Sequence, residues 1–178
     1  NGNGSIQLQG QRNHLDQDQL SQEFQLLGDF NDSLDYVVGL YYFHEEATKD
    51  NAQRSRVIVQ QPDQINIFDI EHDSWAVFAQ TNWTPDVLDS RLTLTAGIRY
   101  TEDDREADAV YIFDPDPQSR SFTSDPDNDF DNTSYTLVAN YALTDNINTY
   151  AKLATGYKSG GYNIRASNEA SYTQGFDQ

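Results

Sequence analysis

The 178 residues predict an all-β fold, an antiparallel meander of about six strands. Apolar and polar residues alternate with a period of two over several stretches, and the connections between those stretches alternate short and long. Composition points the same way. The chain has 11 Tyr, 9 Phe and 2 Trp, and 29 Asp+Glu against 11 Lys+Arg give a net charge of −18. Aromatics at this density are foreign to a disordered acidic tail and common in strands.

The first strand covers residues 20–27, where Leu20, Phe24 and Leu26 share a parity with Gln22, against Ser21, Glu23 and Gln25. The second, residues 34–44, sets Leu34, Tyr36, Val38, Leu40 and Tyr42 on one face. Its other face (Val37, Tyr41, Phe43) is also apolar, so its orientation stays open. In residues 74–84 the apolar parity is Trp75, Val77, Ala79, Thr81 and Trp83. Residues 91–101 give the cleanest pattern: Leu92, Leu94, Ala96, Ile98 and Tyr100 oppose Arg91, Thr93, Thr95, Gly97, Arg99 and Thr101. A helix would scatter those leucines and arginines around its whole circumference. Residues 134–141 place Tyr135, Leu137, Ala139 and Tyr141 together. Residues 147–158 place Ile147, Ala151, Leu153 and Tyr157 opposite Asn148, Lys152, Gly156 and Lys158. Each strand is expected to run about 9 to 12 residues.

Residues 29–33, 85–90 and 144–146 are short connections, rich in Asp, Asn, Ser or Pro as tight turns require. Residues 47–71 and 103–131 are expected to be long connections. The second holds Pro115, Pro117 and Pro126 and should not pair as a central strand. In the first, Val57, Val59, Ile65 and Ile67 hint that strands reach into it.

Several function classes are excluded. A pI near 4.1 leaves no basic surface for nucleic acid. With no cysteine, the chain has no disulfides, zinc thiolates or Cys nucleophile. No apolar run is long enough for a transmembrane helix. Neither an initiator Met nor a secretory signal opens the chain, which is therefore expected to be an internal piece of a longer protein. No catalytic constellation stands out, no cofactor is implied, and a non-enzyme is expected.

The ends of the apolar faces decide where those faces point. Trp75 and Trp83 bracket one of them, and eight residues of tilted strand span roughly 20 Å, close to the apolar height of an outer-membrane barrel with its aromatic girdles. Tyr100, Tyr135 and Tyr141 complete the expected membrane-girdle set, because a ring with one polar end suits the headgroup level. Arg91, Arg99, Lys152 and Lys158 fall on the opposite parity, with Thr, Gln, Asn and Gly, as the lumen of a barrel would allow. The alternative is a secreted acidic β-sandwich that binds calcium and carbohydrate through its loops.

Longer motifs add to the pattern. Residues 143–163 contain Asn148-Thr149-Tyr150-Ala151 and then Gly156-Tyr157-Lys158-Ser159-Gly160-Gly161-Tyr162-Asn163. Residues 20–27 read Leu-Ser-Gln-Glu-Phe-Gln-Leu-Leu, with Gln25 where Arg is more usual. Residues 36–43 read Tyr-Val-Val-Gly-Leu-Tyr-Tyr-Phe, and residues 94–102 read Leu-Thr-Ala-Gly-Ile-Arg-Tyr-Thr-Glu. Together with residues 75–82, these resemble successive barrel strands of the TonB-dependent outer-membrane receptors, in family order.

The resemblance implies that residues 1–178 are a partial outer-membrane β-barrel domain, about a quarter of a 22-stranded transmembrane barrel, with plug, signal peptide, coupling motif and C-terminal strands lying elsewhere. It implies a Gram-negative outer membrane and uptake of a scarce solute such as a ferric siderophore. Expected partners are outer-membrane lipid, the solute, and a TonB-type energy-coupling protein engaged through the plug. Arg91, Arg99, Lys152 and Lys158 are then candidates to contact the plug or an anionic solute.

Two further constellations are weak. Asp125, Asp127, Asp129 and Asp131 offer oxygens at alternate positions, but Phe130 and Thr136 stand where an EF-hand needs Gly and Glu. An acidic solvated loop is the expected reading. His44-Glu45-Glu46 begins like a zincin motif, yet Thr48 replaces the second His. His14, His44 and His72 are expected at the surface, at strand ends or in loops.

Overall fold

The computed structural model describes residues 9–55, 63–114, 122–124, 127–163 and 170. Among them the chain forms one antiparallel sheet with β1 Gln9–Asn31, β2 Leu34–Ser55, β3 Asp63–Trp83, β4 Leu92–Asp114, β5 Phe122–Ser124, β6 Asp127–Thr144 and β7 Ile147–Ala154. Six strands pair as a meander in the order β1-β2-β3-β4-β6-β7, and the three-residue β5 pairs only with β4. No helix among the described residues is long and apolar enough to cross a membrane, which says nothing about crossing with strands.

Tight turns join the strands at one end. After β1, the Asn31 carboxamide oxygen accepts from the Ser33 backbone N–H (3.0 Å) and hydroxyl (2.8 Å), so the side chain holds a two-residue hairpin in place. Between β3 and β4 the chain reverses through a short 3-10 turn, Leu88–Ser90, with φ of 55°, 58° and 56° at Leu88, Asp89 and Ser90. Asp145 and Asn146 form the third turn.

The strands are about twice the expected length. β1 and β4 have 23 residues each, on the order of 70 Å of extended chain, far more than one crossing of a hydrocarbon layer needs. Of residues 47–71, expected as a connection, 47–55 and 63–71 lie instead in the far halves of β2 and β3, paired from Ala47↔Ile70 to Gln53↔Gln64. The described residues of 103–131 are likewise strand: β4 continues to Asp114, β5 covers Phe122–Ser124, and β6 begins at Asp127. Pro115, Pro117, Pro126, Val57 and Val59 lie outside the described residues. At the other end the last strand is shorter than expected, since β7 stops at Ala154 and residues 155–160 carry no regular structure.

Register makes the alternation a property of the whole sheet. The direct partners Leu26, Val38, Ala79, Ile98 and Tyr135 run across five strands on one face. Gln25, Gly39, Phe78, Arg99 and Ser134 run across the same strands on the other. No second layer covers the apolar face among the described residues: Phe24 is 67% exposed and Ile98 56%. A β-sandwich, the alternative reading, would instead have that face packed against another sheet. Burial is instead found on the opposite face, in the far half of the sheet. Phe68, Ala107, Ala109 and Tyr111 form a small core there, with Ile70 and Tyr162 against it.

Candidate functional site

The upper edge of the apolar face is not level with the strand pairing. Above Tyr42 and Trp75, which are direct partners, the outward residues turn to His44 and Asp73. On β4 the aromatic end is Tyr100, which pairs with Val77, two residues below Trp75. On β6 it is Tyr135, paired with Ile98, two residues below Tyr100. On β7 the apolar run ends at Leu153, paired with Leu137, two residues further down. Six residues of descent over four strand steps correspond to strands inclined by about 45° to a flat boundary. The inclination of strands in outer-membrane barrels is roughly 35–45°. With strands inclined in that way, a diagonal staircase in the register would become a level ring. Trp75, Tyr100 and Tyr135 share its upper rim, and the Trp75 and Tyr100 rings meet edge to face at 5.6 Å. Trp83 and Tyr141 lie toward the tight-turn end, on β3 and β6.

Beyond the rim the outward face is acidic. Glu102, Asp104, Glu106 and Asp108 follow Tyr100 on β4, and Asp131, Asp129 and Asp127 stand opposite the first three. These aspartates are strand residues, which corrects the expectation of a loop; Asp125 lies outside the described residues. Period two places them on one exposed face, where Asp127 and Asp129 converge with Asp104. Burial, then repulsion from Asp127 and Asp129, pushes the Asp104 carboxyl above its ordinary range.

The four expected cations do not converge. Arg99 lies on the polar face with its guanidinium over the rings of Tyr41 (5.1 Å) and Phe78 (5.8 Å), and its Nε–H donates to Thr101 Oγ1 at 3.1 Å. Lys152 is on the same face of β7, opposite Val138, the partner of Thr95, about 13 Å along β4 from Arg99. Arg91 precedes β4 at the turn end, exposed, with Nη1 3.4 Å from the Leu143 carbonyl. Lys158 follows β7 outside any strand and is exposed.

A polar network that sequence reading did not find lies above Arg99 on the same face. Asp103, 5% exposed, accepts from the Tyr157 hydroxyl (2.6 Å) and faces His72 Nε2 (3.2 Å), with Ser74 bonded as well. Burial alone would raise this carboxyl, but the bonds from Ser74, Tyr157 and His72 outweigh it and hold the pKa below the usual value. His72 and His44 are thus mid-strand residues with carboxylate partners, rather than the loop or strand-end histidines expected. Residues 155–163 strap the inner face: the Tyr162 hydroxyl donates to the Arg105 carbonyl (2.8 Å) and accepts from Asn128 Nδ2 (2.9 Å). Burial pushes the neighbouring Tyr111 hydroxyl up to about 12. The inner face therefore offers cations, tyrosines and aromatic rings, a chemistry suited to an anionic or aromatic solute. Pairwise spacing in the sequence could not have joined Asp103 to Tyr157, because 54 residues separate them.

Comparison with known proteins agrees with this geometry. Residues 1–177 match the family described as TonB dependent receptor-like, beta-barrel. No curated protein matches the chain. Among solved structures, the ferric yersiniabactin uptake receptor FyuA from Yersinia pestis superposes with a TM-score of 0.76 at 21% identity, over 92% of this chain and 24% of FyuA. The chain thus spans about a quarter of that receptor's length, and the likeness is one of fold.

Proposed function

Because the chain belongs to the TonB-dependent receptor-like β-barrel family, we propose that it is a run of barrel wall from an outer-membrane active-transport receptor for a ferric siderophore or a similarly scarce solute. The carrying observation is the staircase of Tyr42, Trp75, Tyr100 and Tyr135, which becomes level only when the strands tilt as barrel strands do. Lipid then covers the outward apolar band of a Gram-negative outer membrane, and water or the plug meets the inner face. Strand ends beyond the rim stand outside the membrane. The aromatic and cationic inner surface around Arg99, Tyr157 and Tyr162 is a place to receive an incoming ferric chelate.

In this reading the segment carries no catalysis. Energy arrives through a plug that engages a TonB-type coupling protein, and the barrel wall provides the channel, the solute contacts and the lipid boundary. Arg99, lying over two rings, is pre-oriented on the inner face, so it meets an anionic chelate or a plug carboxylate with little loss of side-chain freedom. Arg91, Lys152 and Lys158 are proposed as plug or lumen contacts at other heights.

The test is uptake of iron-55 presented as a panel of ferric siderophores. The complete receptor is expressed in a Gram-negative strain stripped of its own siderophore receptors, with and without its coupling protein. At least one chelate should accumulate well above the empty-vector level, and only with the coupling protein present. Accumulation no different from empty vector for iron chelates and for other TonB-family solutes would overturn the transport reading.

A further inference from the structure

One group of side chains on the outward face serves neither the lipid band nor the lumen. Period two puts His44 and Glu46 on the same side of β2, and the register places Asp73 and Glu71 directly opposite them on β3. They sit one pair above Tyr42, just beyond the aromatic rim. His44 Nδ1 is 3.1 Å from Asp73 Oδ1, and the same oxygen accepts the Tyr42 hydroxyl at 2.7 Å. An ionised carboxylate can only accept, so Nδ1 carries a proton toward Asp73, and Nε2 is the nitrogen left for a metal ion to take in place of the proton it otherwise shares with Glu46. Nε2 points at Glu46 Oε1, 3.4 Å away, and a Glu71 carboxylate oxygen completes a triangle whose atoms all lie within 4.8 Å of one another.

Without a metal ion a protonated Nε2 pairs with Glu46, and a divalent cation at the same point would replace that proton and reach Glu71 as well. We propose that His44 Nε2, Glu46 and Glu71 form a site for a borderline divalent transition-metal ion of the zinc class, with Asp73 as the residue that orients the imidazole. A histidine whose second nitrogen is held by a carboxylate is how such ligands are fixed in tautomer and direction. One nitrogen and two carboxylates leave room for water or a lipid phosphate at the fourth position of a tetrahedron. The nitrogen ligand, from a half-buried histidine, separates this site from the oxygen-only group of Asp104, Asp127 and Asp129; the carboxylates of both groups are exposed. The acidic outer face adds a long-range attraction for any cation.

The experiment titrates zinc alone, and calcium alone, into the purified complete receptor in detergent at neutral pH, with cobalt absorption reporting a nitrogen ligand. Wild type should bind one zinc equivalent more than His44→Ala. Asp73→Asn should keep that equivalent but weaken it by about 10- to 100-fold. Millimolar calcium should not displace the zinc. Heat-modifiable migration of each variant confirms assembly. If His44→Ala fails to assemble, Glu46→Gln with Glu71→Gln, which removes charge and keeps shape, decides the matter alone. Equal zinc stoichiometry and affinity in the variants, or displacement by calcium at parity, would overturn the site.

Discussion

Leu94→Arg and Ala96→Arg should each abolish assembly of the complete receptor into the outer membrane, while Thr93→Arg and Thr95→Arg should leave it intact. All four positions lie within the first five residues of β4. Leu94 and Ala96 belong to the outward run from Leu92 to Tyr100, whose middle is Ala96, and Thr93 and Thr95 point to the polar face. A lipid-facing Arg costs about 2–4 kcal/mol at the bilayer midplane and close to nothing at the interface. Set against the roughly 5–15 kcal/mol by which most folded proteins exceed their unfolded states, that is a large fraction, and it falls on the step at which the strand must enter hydrocarbon. Trp75→Asp, at the rim, should be intermediate. The fraction of receptor migrating as the compact form on unheated gels of outer-membrane preparations checks all five variants. Equal tolerance throughout would remove the assignment of the apolar face to lipid.

Gly39→Ala is the second large effect. Gly39 pairs directly with Phe78, and the ring lies across the glycine so closely that an added Cβ would sit 2.2 Å from Cζ and 2.6 Å from Cε1. Phe78 would have to leave its place over β2, and with it one of the two rings beneath the Arg99 guanidinium. Overpacking of this sort costs about 1–3 kcal/mol. Gly97 is the internal control, because a Cβ there meets nothing nearer than Gln80 Oε1 at 3.6 Å. Denaturant unfolding of the complete receptor should show a lowered midpoint for Gly39→Ala, no loss for Gly97→Ala, and recovery of most of the loss when Gly39→Ala is combined with Phe78→Ala. A Gly39→Ala midpoint equal to that of Gly97→Ala would mean that the ring does not depend on the glycine.

Within the band, sequence reading worked best on β4, where the outward residues are Leu92, Leu94, Ala96, Ile98 and Tyr100 and the inward ones are Thr, Gly and Arg. Past the rim the rule inverts, which explains why the far halves of the strands read as loops. On β4 the even positions turn acidic at Glu102, Asp104, Glu106 and Asp108, while the odd ones become Ala107, Ala109 and Tyr111 and are buried. On β3 the core residues Phe68 and Ile70 lie on the parity opposite to Trp75 and Val77. On β4 the period of two continues past the rim with the apolar face exchanged, since hydrocarbon gives way to water outside and packing replaces water inside; on β3 Ile65 and Ile67 return to the outward parity beyond Phe68. A scan that allowed the apolar parity to switch would have extended β4; the far halves of β1 and β2 are mostly polar on both parities and show as strand only through their pairing.

Of the candidate site, Arg99 was legible from parity alone. Its two supporting rings follow from register, which needs the pairing partners. The Asp103, His72 and Tyr157 network required the return of residues 155–163 across the sheet, a tertiary event with no local signal. His44 and Glu46 were noticed for a helical motif they do not form; spaced by two on a strand, they become neighbours with Glu71 and Asp73 as partners.

The most direct measurement places a single cysteine-linked spin label at each position from 92 to 100 in the otherwise cysteine-free complete receptor, reconstituted in lipid, and reads collision with oxygen and with a water-soluble nickel chelate. Oxygen accessibility should peak at 92, 94, 96, 98 and 100, and nickel accessibility at 93, 95, 97 and 99, out of phase along the whole strand. In-phase profiles, or a flat nickel signal across all nine positions, would contradict a strand with hydrocarbon on one side and water on the other.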